Sequence, residues 1–240
     1  MDRLVTGFQS TGGLVSSRIG YLLFSDVGAS KILKWKDGAV TVFREKSNGA
    51  NGLTFDHQGR LLACEQDRVT RTEKDGSITV LAGALRERPI DLIYAIDGNV
   101  YFSSAAGVYR GKEIASRECD RAVGVTLSPN QQQLYVSDAG QQNIRVFDIA
   151  PNGSLNKGRV FVPVKNDSLG GLKTDESGKV WIATSIGIQC FAPSGEHLET
   201  IAVPEKPSNL NWGNGFHGLV IAAQTSIYRH AVKASGTRTF

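Results

Sequence analysis

The stretch that decides the fold runs from residue 51 to residue 65. It reads NGLTFD at residues 51–56, then a turn containing Gly59, then LLACE at residues 61–65. Two short apolar strands on either side of a polar turn with a glycine are typical of a β-hairpin, because glycine readily adopts the positive φ that such turns need. The same unit recurs at residues 123–138 and again at residues 170–184, which indicates a repeat.

Six such units divide the chain at near-equal intervals of 33 to 47 residues. The residues that open them are Thr11, Asn51, Ile90, Val123, Gly170 and Asn209. A period near 40 with four short strands in each unit is typical of propeller blades. The sequence therefore predicts one all-β domain over residues 1–240, a six-bladed β-propeller with four antiparallel strands per blade. Because the first unit opens only at residue 11, the strand near residues 4–8 is predicted to close the last blade.

The composition and charge of the chain indicate which classes of binding partner to exclude. Apolar residues make up 40% of the 240 residues and charged residues 21%, which is ordinary for a globular protein. No apolar run approaches the roughly 20 residues of a membrane-spanning helix. The net charge of +4 is spread along the chain, and its densest basic stretch, residues 68–74, alternates with Val and Thr as a solvated strand face does. We expect a monomer that binds neither nucleic acid nor membrane.

The cysteines and the N-terminus point to a reducing compartment. The three cysteines, Cys64, Cys119 and Cys190, are far apart and each falls in or beside an apolar segment, so we expect buried thiols. No Cys/His cluster indicates a zinc site. Residues 1–5, MDRLV, lack the apolar core of a signal peptide, and a cytoplasmic location is therefore expected.

Several stretches go beyond a generic propeller. They are YLLFSD at residues 21–26, ANGLTFD at 50–56 with QGRLLACE at 58–65, RVTRTEKDGSITVL at 68–81, and LYVSD at 134–138. Over essentially its whole length the chain closely resembles the senescence marker protein, gluconolactonase and luciferin-regenerating enzyme family, especially its bacterial gluconolactonase-like branch. The resemblance implies enzymes that open lactones, typically sugar lactones, over one divalent cation such as calcium or zinc at the channel mouth.

The family's ligand positions are substituted in this sequence. By resemblance, a Glu should open the first blade, an Asn the fourth and an Asp the fifth, to hold the cation, while an Asn that binds substrate should open the third. The residues present are Thr11, Val123, Gly170 and Ile90, in that order. Losing two carboxylates and an amide oxygen weakens the binding of a divalent cation. We therefore expect no metal ligands and no cofactor in this chain.

Other polar residues remain near the predicted mouth. The second strand of each blade returns to the face where the first began, so its last residues should form an outer ring: Asp26, Glu65, Ser104, Asp138, Thr184 and Gln224. Carboxylates on a low-dielectric wall acquire the raised pKa of a general acid or base, which makes Glu65 and Asp91 the candidate catalytic residues. The candidate ligand-binding residues are Thr11, Asn51, Ile90, Ser104, Val123, Asp138, Gly170 and Asn209. Alternatively, Asp26, Asp91 and Asp138 bond backbone N–H groups and brace the blades.

Three functions are compatible with these residues. The first is a pocket for a small lactone- or sugar-like molecule, with metal-independent chemistry or binding alone. The second is a lactone hydrolase that recruits a cation through Glu65, Asp91 and Asp138. The third is a propeller without catalysis that uses its rim for protein contacts. No Gly-x-Ser-x-Gly motif or phosphate loop adds a further enzyme class.

Overall fold

The computed structural model describes residues 1–165, 168–213, 215 and 217–237. The residues so described form 24 strands in six four-stranded antiparallel sheets, each built from strands that are consecutive in the chain except at the closure. This is the six-bladed propeller predicted from the repeat. Polar turns with glycine at positive φ, such as those at Gly59 and Gly178, join the strands within the blades.

The first three blades follow one another along the chain from residue 11, and the innermost strand comes first in each. Blade 1 consists of β2 (Thr11–Ser16), β3 (Leu22–Asp26), β4 (Lys31–Lys36) and β5 (Ala39–Arg44). Blade 2 consists of β6 (Leu53–Phe55), β7 (Leu61–Cys64), β8 (Val69–Thr72) and β9 (Ile78–Ala82). Blade 3 consists of β10 (Pro89–Tyr94), β11 (Val100–Ser104), β12 (Gly107–Arg110) and β13 (Glu113–Ser116).

The last three blades repeat the arrangement. Blade 4 consists of β14 (Ala122–Leu127), β15 (Gln133–Asp138), β16 (Asn143–Asp148) and β17 (Arg159–Pro163). Blade 5 consists of β18 (Leu169–Thr174), β19 (Val180–Thr184), β20 (Gly187–Phe191) and β21 (His197–Ile201). Blade 6 consists of β22 (Pro207–Trp212), β23 (His217–Ala223), β24 (Ser226–Ser235) and the N-terminal β1 (Asp2–Thr6).

The N-terminal strand closes the ring, as predicted. β1 pairs antiparallel with β24, which covers an edge that would otherwise be open. Glu205, in the loop before blade 6, holds the closure: its carboxylate accepts hydrogen bonds from Ser226, Tyr228 and Thr225. Burial acts to raise the pKa of Glu205, but these hydrogen bonds prevail and lower it to about 2.

The hydrophobic core lies between neighbouring blades. Trp181 of blade 5 meets Trp212 of blade 6 edge to face, with ring centroids 6.0 Å apart. The three cysteines are buried free thiols, which confirms the prediction. Burial raises the pKa of Cys119 and of Cys190 to about 12, so these thiols stay protonated. No helix among the described residues is long and apolar enough to cross a bilayer.

A β-bulge positions the opening of the innermost strand in five of the described blades. In β2, for example, Thr11 pairs with Asp26 and the register then shifts before Leu14. Equivalent shifts occur near the start of β10, β14, β18 and β22. Because a bulge bends its strand and re-aims the side chains within it, the opening residues turn toward the propeller axis.

Glycines follow the openings because neighbouring blades approach closely there. A side chain at Gly12 would overlap the side-chain oxygen of Asn51, and one at Gly171 would overlap that of Asn209. The Gly residues that follow Thr11 and Gly170 in the repeat are therefore needed to let the adjacent asparagine reach the axis.

Candidate functional site

One cavity of about 380 Å³ lies on the axis, at the end where the innermost strands open. The six residues that the repeat places at the openings all line it: Thr11, Asn51, Ile90, Val123, Gly170 and Asn209. We call this space the mouth cavity. The six blades thus contribute one opening residue each, and the alignment of the repeats holds at the level of individual positions.

The lining is polar but almost uncharged. Among the described residues that line the mouth cavity, Asp91 and Lys206 are the ionisable ones, and hydroxyl, amide and backbone groups supply most of the remaining polarity. The Asn51 side chain has no hydrogen-bond partner among the described residues, and its oxygen lies against Gly12 at the cavity wall. Its amide can therefore both donate to and accept from a ligand.

Two other opening residues are partly engaged within the protein. The Thr11 hydroxyl donates to the backbone oxygen of Gln224 at 3.1 Å. The Asn209 side-chain oxygen accepts a hydrogen bond from Leu210 N–H at 2.8 Å, which directs its amide nitrogen toward Asp91. Both side chains are thereby fixed in orientation at the cavity wall.

Asp91 supplies the carboxylate of the mouth cavity. It is only 3% exposed, and its Oδ2 accepts a hydrogen bond from Val125 N–H at 3.4 Å and lies 4.0 Å from Nζ of Lys173. The pKa of Asp91 is raised above its ordinary value because the effect of burial exceeds the opposing effects of Lys173, the backbone N–H groups and the Asn209 amide. A carboxyl group held between these opposing influences is placed to exchange a proton with a bound molecule.

Glu65, the other candidate acid or base, is not among the residues that line the mouth cavity. Its carboxylate is 1% exposed and accepts from Arg44 at 2.5 Å, from Arg68 at 2.8 Å and from the Thr70 hydroxyl at 2.6 Å. These contacts join the Glu65 carboxylate to Arg44 of blade 1 and to Arg68 and Thr70 of blade 2. The structure thus places Glu65 outside the lining of the mouth cavity, in ion pairs with Arg44 of blade 1 and Arg68 of blade 2.

Asp138 and Ser104 also lie outside the lining. The Asp138 carboxylate accepts hydrogen bonds from the N–H groups of Asp120 and Arg121 in the preceding loop and of Gly140 and Gln141 in the following turn, at 3.0–3.2 Å. The Ser104 hydroxyl accepts from Ala106 N–H at 3.1 Å. Asp138 thus has the bracing role that the sequence analysis gave as an alternative, and neither side chain lines the mouth cavity.

The remaining residues of the outer ring are Asp26, Thr184 and Gln224, and the first two are also held by backbone groups. Asp26 accepts from the N–H groups of Gln9 and Ser10, and Thr184 donates to the backbone oxygen of Gly187. Only Gln224, of the six outer-ring residues, lines the mouth cavity. The other five residues of the predicted outer ring are each held by hydrogen bonds within the protein.

Two lysines that lie along the channel were not identified from the sequence. Lys206 lines the cavity from the loop before β22, and Lys173 faces Asp91 from within β18. Lys173 could have been noticed, because a charged residue in an innermost strand of apolar and small residues indicates a side chain that faces the channel. Within the described residues, no three His, Cys, Asp or Glu side chains are grouped so as to hold a metal ion.

The model of a known protein family matches most of the chain. Residues 10–225 match the model of the SMP-30/gluconolactonase/LRE-like region. The chain belongs to this family. The resemblance noted in the hairpin stretches is thereby confirmed over most of the sequence.

Individual relatives agree with that membership. A gluconolactonase from Zymomonas mobilis subsp. mobilis is 26% identical over 272 residues, an alignment covering 90% of this chain and 76% of the relative. A crystallised gluconolactonase from Xanthomonas campestris, described as important in glucose secondary metabolic pathways, is 27% identical with a TM-score of 0.86 and coverage of 95% and 87%. Regucalcin from Agrobacterium tumefaciens, a calcium-binding protein, has a TM-score of 0.85 at 15% identity, covering 98% and 94% of the two chains, which shows a shared fold.

Proposed function

We propose that the mouth cavity binds an uncharged, polyhydroxylated small molecule of the lactone or sugar type, and that it does so without a divalent cation. The observation that carries the proposal is the lining: six converging strand openings with a free amide at Asn51, a fixed amide at Asn209 and one buried carboxylate at Asp91. Convergent neutral donors and acceptors suit hydroxyl groups. The gluconolactonase relatives support a lactone as the class of ligand.

The cation that the family employs does not fit the donor set of this cavity. Thr11, Val123 and Gly170 occupy the three positions where the resemblance places ligands, and only the first has a side-chain oxygen. Asp91 is already faced by the ammonium of Lys173 at 4.0 Å, which would repel a second positive charge. Calcium requires six to eight oxygen ligands, with carboxylates prominent among them. The oxygen atoms of this lining are too few to replace the water molecules that the ion would lose on binding.

The position of the missing fifth-blade carboxylate is also closed to any side chain. A Cβ atom at Gly170 would collide with the backbone oxygen of Ser208 and press against Ala183. Blade 6 therefore occupies the space that a ligand side chain would need. The substitution at this position has been accommodated by the neighbouring blade, which supports a pocket organised without the cation.

Asp91 is the residue that we assign to chemistry in this pocket. As a base, it would take a proton from a water molecule that adds to a lactone carbonyl. The ring C–O bond then breaks, and the ring oxygen takes up a proton, which yields the hydroxy acid. In binding alone, the same carboxylate would accept a hydrogen bond from a ligand hydroxyl. Both roles require the group at the cavity wall where it lies.

A hydrolase that recruits a metal through Glu65, Asp91 and Asp138 is the weaker candidate. Glu65 is held by two arginines and Asp138 by backbone N–H groups, and neither side chain lines the mouth cavity. Freeing both carboxylates would expose buried guanidinium and N–H groups at considerable cost. The rim offers no better argument for a protein partner, since its exposed apolar residues, such as Val42, Val80 and Val160, are divided among the outer strands of different blades.

The test is calorimetric titration with D-glucono-1,5-lactam, a neutral lactone-shaped molecule that resists hydrolysis, in buffer containing EDTA. Wild-type protein should bind it. Asn51→Ala should weaken binding by about 2- to 13-fold, the usual effect of losing one neutral hydrogen bond, and Asp91→Asn by about 10- to 150-fold, the usual effect of losing a charge-assisted one. Asp148→Asn, at an exposed carboxylate of β16, is the matched control and should bind normally. Absence of lactam binding to the wild type would contradict the proposal.

A further inference from the structure

A second, smaller cavity lies on the axis beyond the mouth cavity. Its volume is about 30 Å³, and each of the six innermost strands contributes to its lining. Thr54 and Thr126 line it with hydroxyl groups that have no hydrogen-bond partner among the described residues, although both residues are at least 95% buried. A polar space of this size holds about one water molecule. We call it the inner cavity.

Lys173 lines the inner cavity, whereas Asp91 lines the mouth cavity. The ammonium nitrogen lies 4.0 Å from Oδ2 of Asp91, and the two side chains are 11% and 4% exposed. The ammonium also donates to the backbone oxygen of Leu172 at 3.1 Å. The two opposite charges thus face each other across the partition between the cavities.

Residues 236 and 237 lie beside the inner cavity, near the ends of β18 and β22. Thr237 lines the cavity, its N–H donates to the backbone oxygen of Thr174 at 3.2 Å, and the two threonine hydroxyls are 3.0 Å apart. Gly236 lies so close to Trp212 that a side chain there would overlap the indole ring. Because the side chains of Lys173 and Asp91 are only 11% and 4% exposed, the attraction between them is weakly screened.

Few other charges act on Asp91 from the strands that pack against β10. Among the described residues, β6 and β14 carry no ionisable side chain, and β7 carries the buried thiol of Cys64. β11 carries Tyr101, whose hydroxyl is engaged with Gly153 O at 2.7 Å. Lys206 lies at the mouth with an exposed side chain. Lys173 is therefore the cation best placed to control this carboxylate.

Resting on the function proposed above, we propose that Lys173 is the internal counter-ion of the pocket. Its ammonium, which faces Asp91 from beneath the cavity, favours the ionised form of the carboxylate, the form that accepts a hydrogen bond from a ligand. Lys173 is thus a positioning residue that sets the proton occupancy of its neighbour. Burial alone would favour the protonated carboxyl group at this site.

The test measures the pH at which the Asp91 carboxylate takes up its proton. Protein labelled with ¹³C at aspartate carboxyl carbons is titrated by NMR, and the Asp91 signal is assigned by its loss in Asp91→Asn. Lys173→Met should raise the titration midpoint of Asp91 by about one to three pH units, the usual effect of an opposite charge at this distance. Lys173→Arg should restore a midpoint near that of the wild type. Lys206→Met, which removes an exposed charge from the same end, is the matched control and should have little effect.

The outcome is separable from that of the binding experiment. An unchanged Asp91 midpoint in folded Lys173→Met would overturn the counter-ion role, whatever the lactam does. If that variant does not fold, as judged by its melting curve, Lys173→Gln takes its place in the same titration. When both proposals hold, the pH below which lactam binding is lost should rise in Lys173→Met by the same amount as the NMR midpoint.

Discussion

Replacing Glu65 by glutamine separates the two roles that this carboxylate could have. The change keeps the size of the side chain and removes its charge, leaving the nearly buried Arg44 without its partner at 2.5 Å. Removing one member of a buried ion pair costs about 3–5 kcal/mol. Arg68 is 38% exposed and can turn to water, and the glutamine oxygen still accepts from Thr70, so we expect a loss of about 2–3 kcal/mol.

Thermal unfolding measures that loss. For a chain of this size 1 kcal/mol corresponds to about 2–4 °C, so Glu65→Gln should melt about 4–12 °C below the wild type. Glu73→Gln, which removes a carboxylate paired with two arginines nearer the surface of the same blade, is the control and should shift the midpoint much less. Below its melting range, Glu65→Gln should bind the lactam as the wild type does. Wild-type stability combined with lost lactam affinity would refute the structural assignment and restore Glu65 to the ligand.

Two further changes test the mouth and the closure. Gly170→Asp should lower the melting temperature, because its Cβ meets the Ser208 backbone oxygen and overpacking of this kind costs about 1–3 kcal/mol; a rise in the melting curve on adding calcium or zinc would contradict this. The pKa of Glu205 is lowered to about 2 in the folded protein, so its stabilising effect is present above its unfolded pKa of about 4.3 and lost as pH falls toward 2. Urea unfolding at pH 7 and pH 2.5 should therefore show a smaller acid-induced loss of stability in Glu205→Gln than in the wild type, and equal losses would contradict that linkage.

The architecture could be predicted because it depends on features that are close together in the sequence. Glycine-containing turns mark the hairpins, and the spacing from Thr11 to Asn209 counts the blades. The six opening residues could be placed around one cavity for the same reason, since each repeats a position whose geometry the strand and its bulge determine. The late start of the first unit was enough to predict that β1 completes blade 6.

The bracing of Asp26 and Asp138 was one of the two alternatives in the sequence, but the partners of the outer-ring side chains could not be predicted, because several of them are distant in the sequence. Asp138 is captured by loop N–H groups 17 and 18 residues earlier, and Glu65 by Arg44, 21 residues earlier. Strand direction indicates the end of the blade at which these side chains lie, but not which partner they choose. The Asp91–Lys173 pair joins blades 3 and 5 across the axis, and no repeat spacing indicates such a contact.

The account depends most on the claim that the mouth cavity receives its ligand without a divalent cation. The direct measurement is calorimetric titration of metal-free wild-type protein with calcium and then with zinc, each followed by the lactam. We predict no stoichiometric binding of either metal at the mouth and a lactam affinity that is the same with and without them. One metal site per chain, lost in Asp91→Asn and required for lactam binding, would contradict the claim.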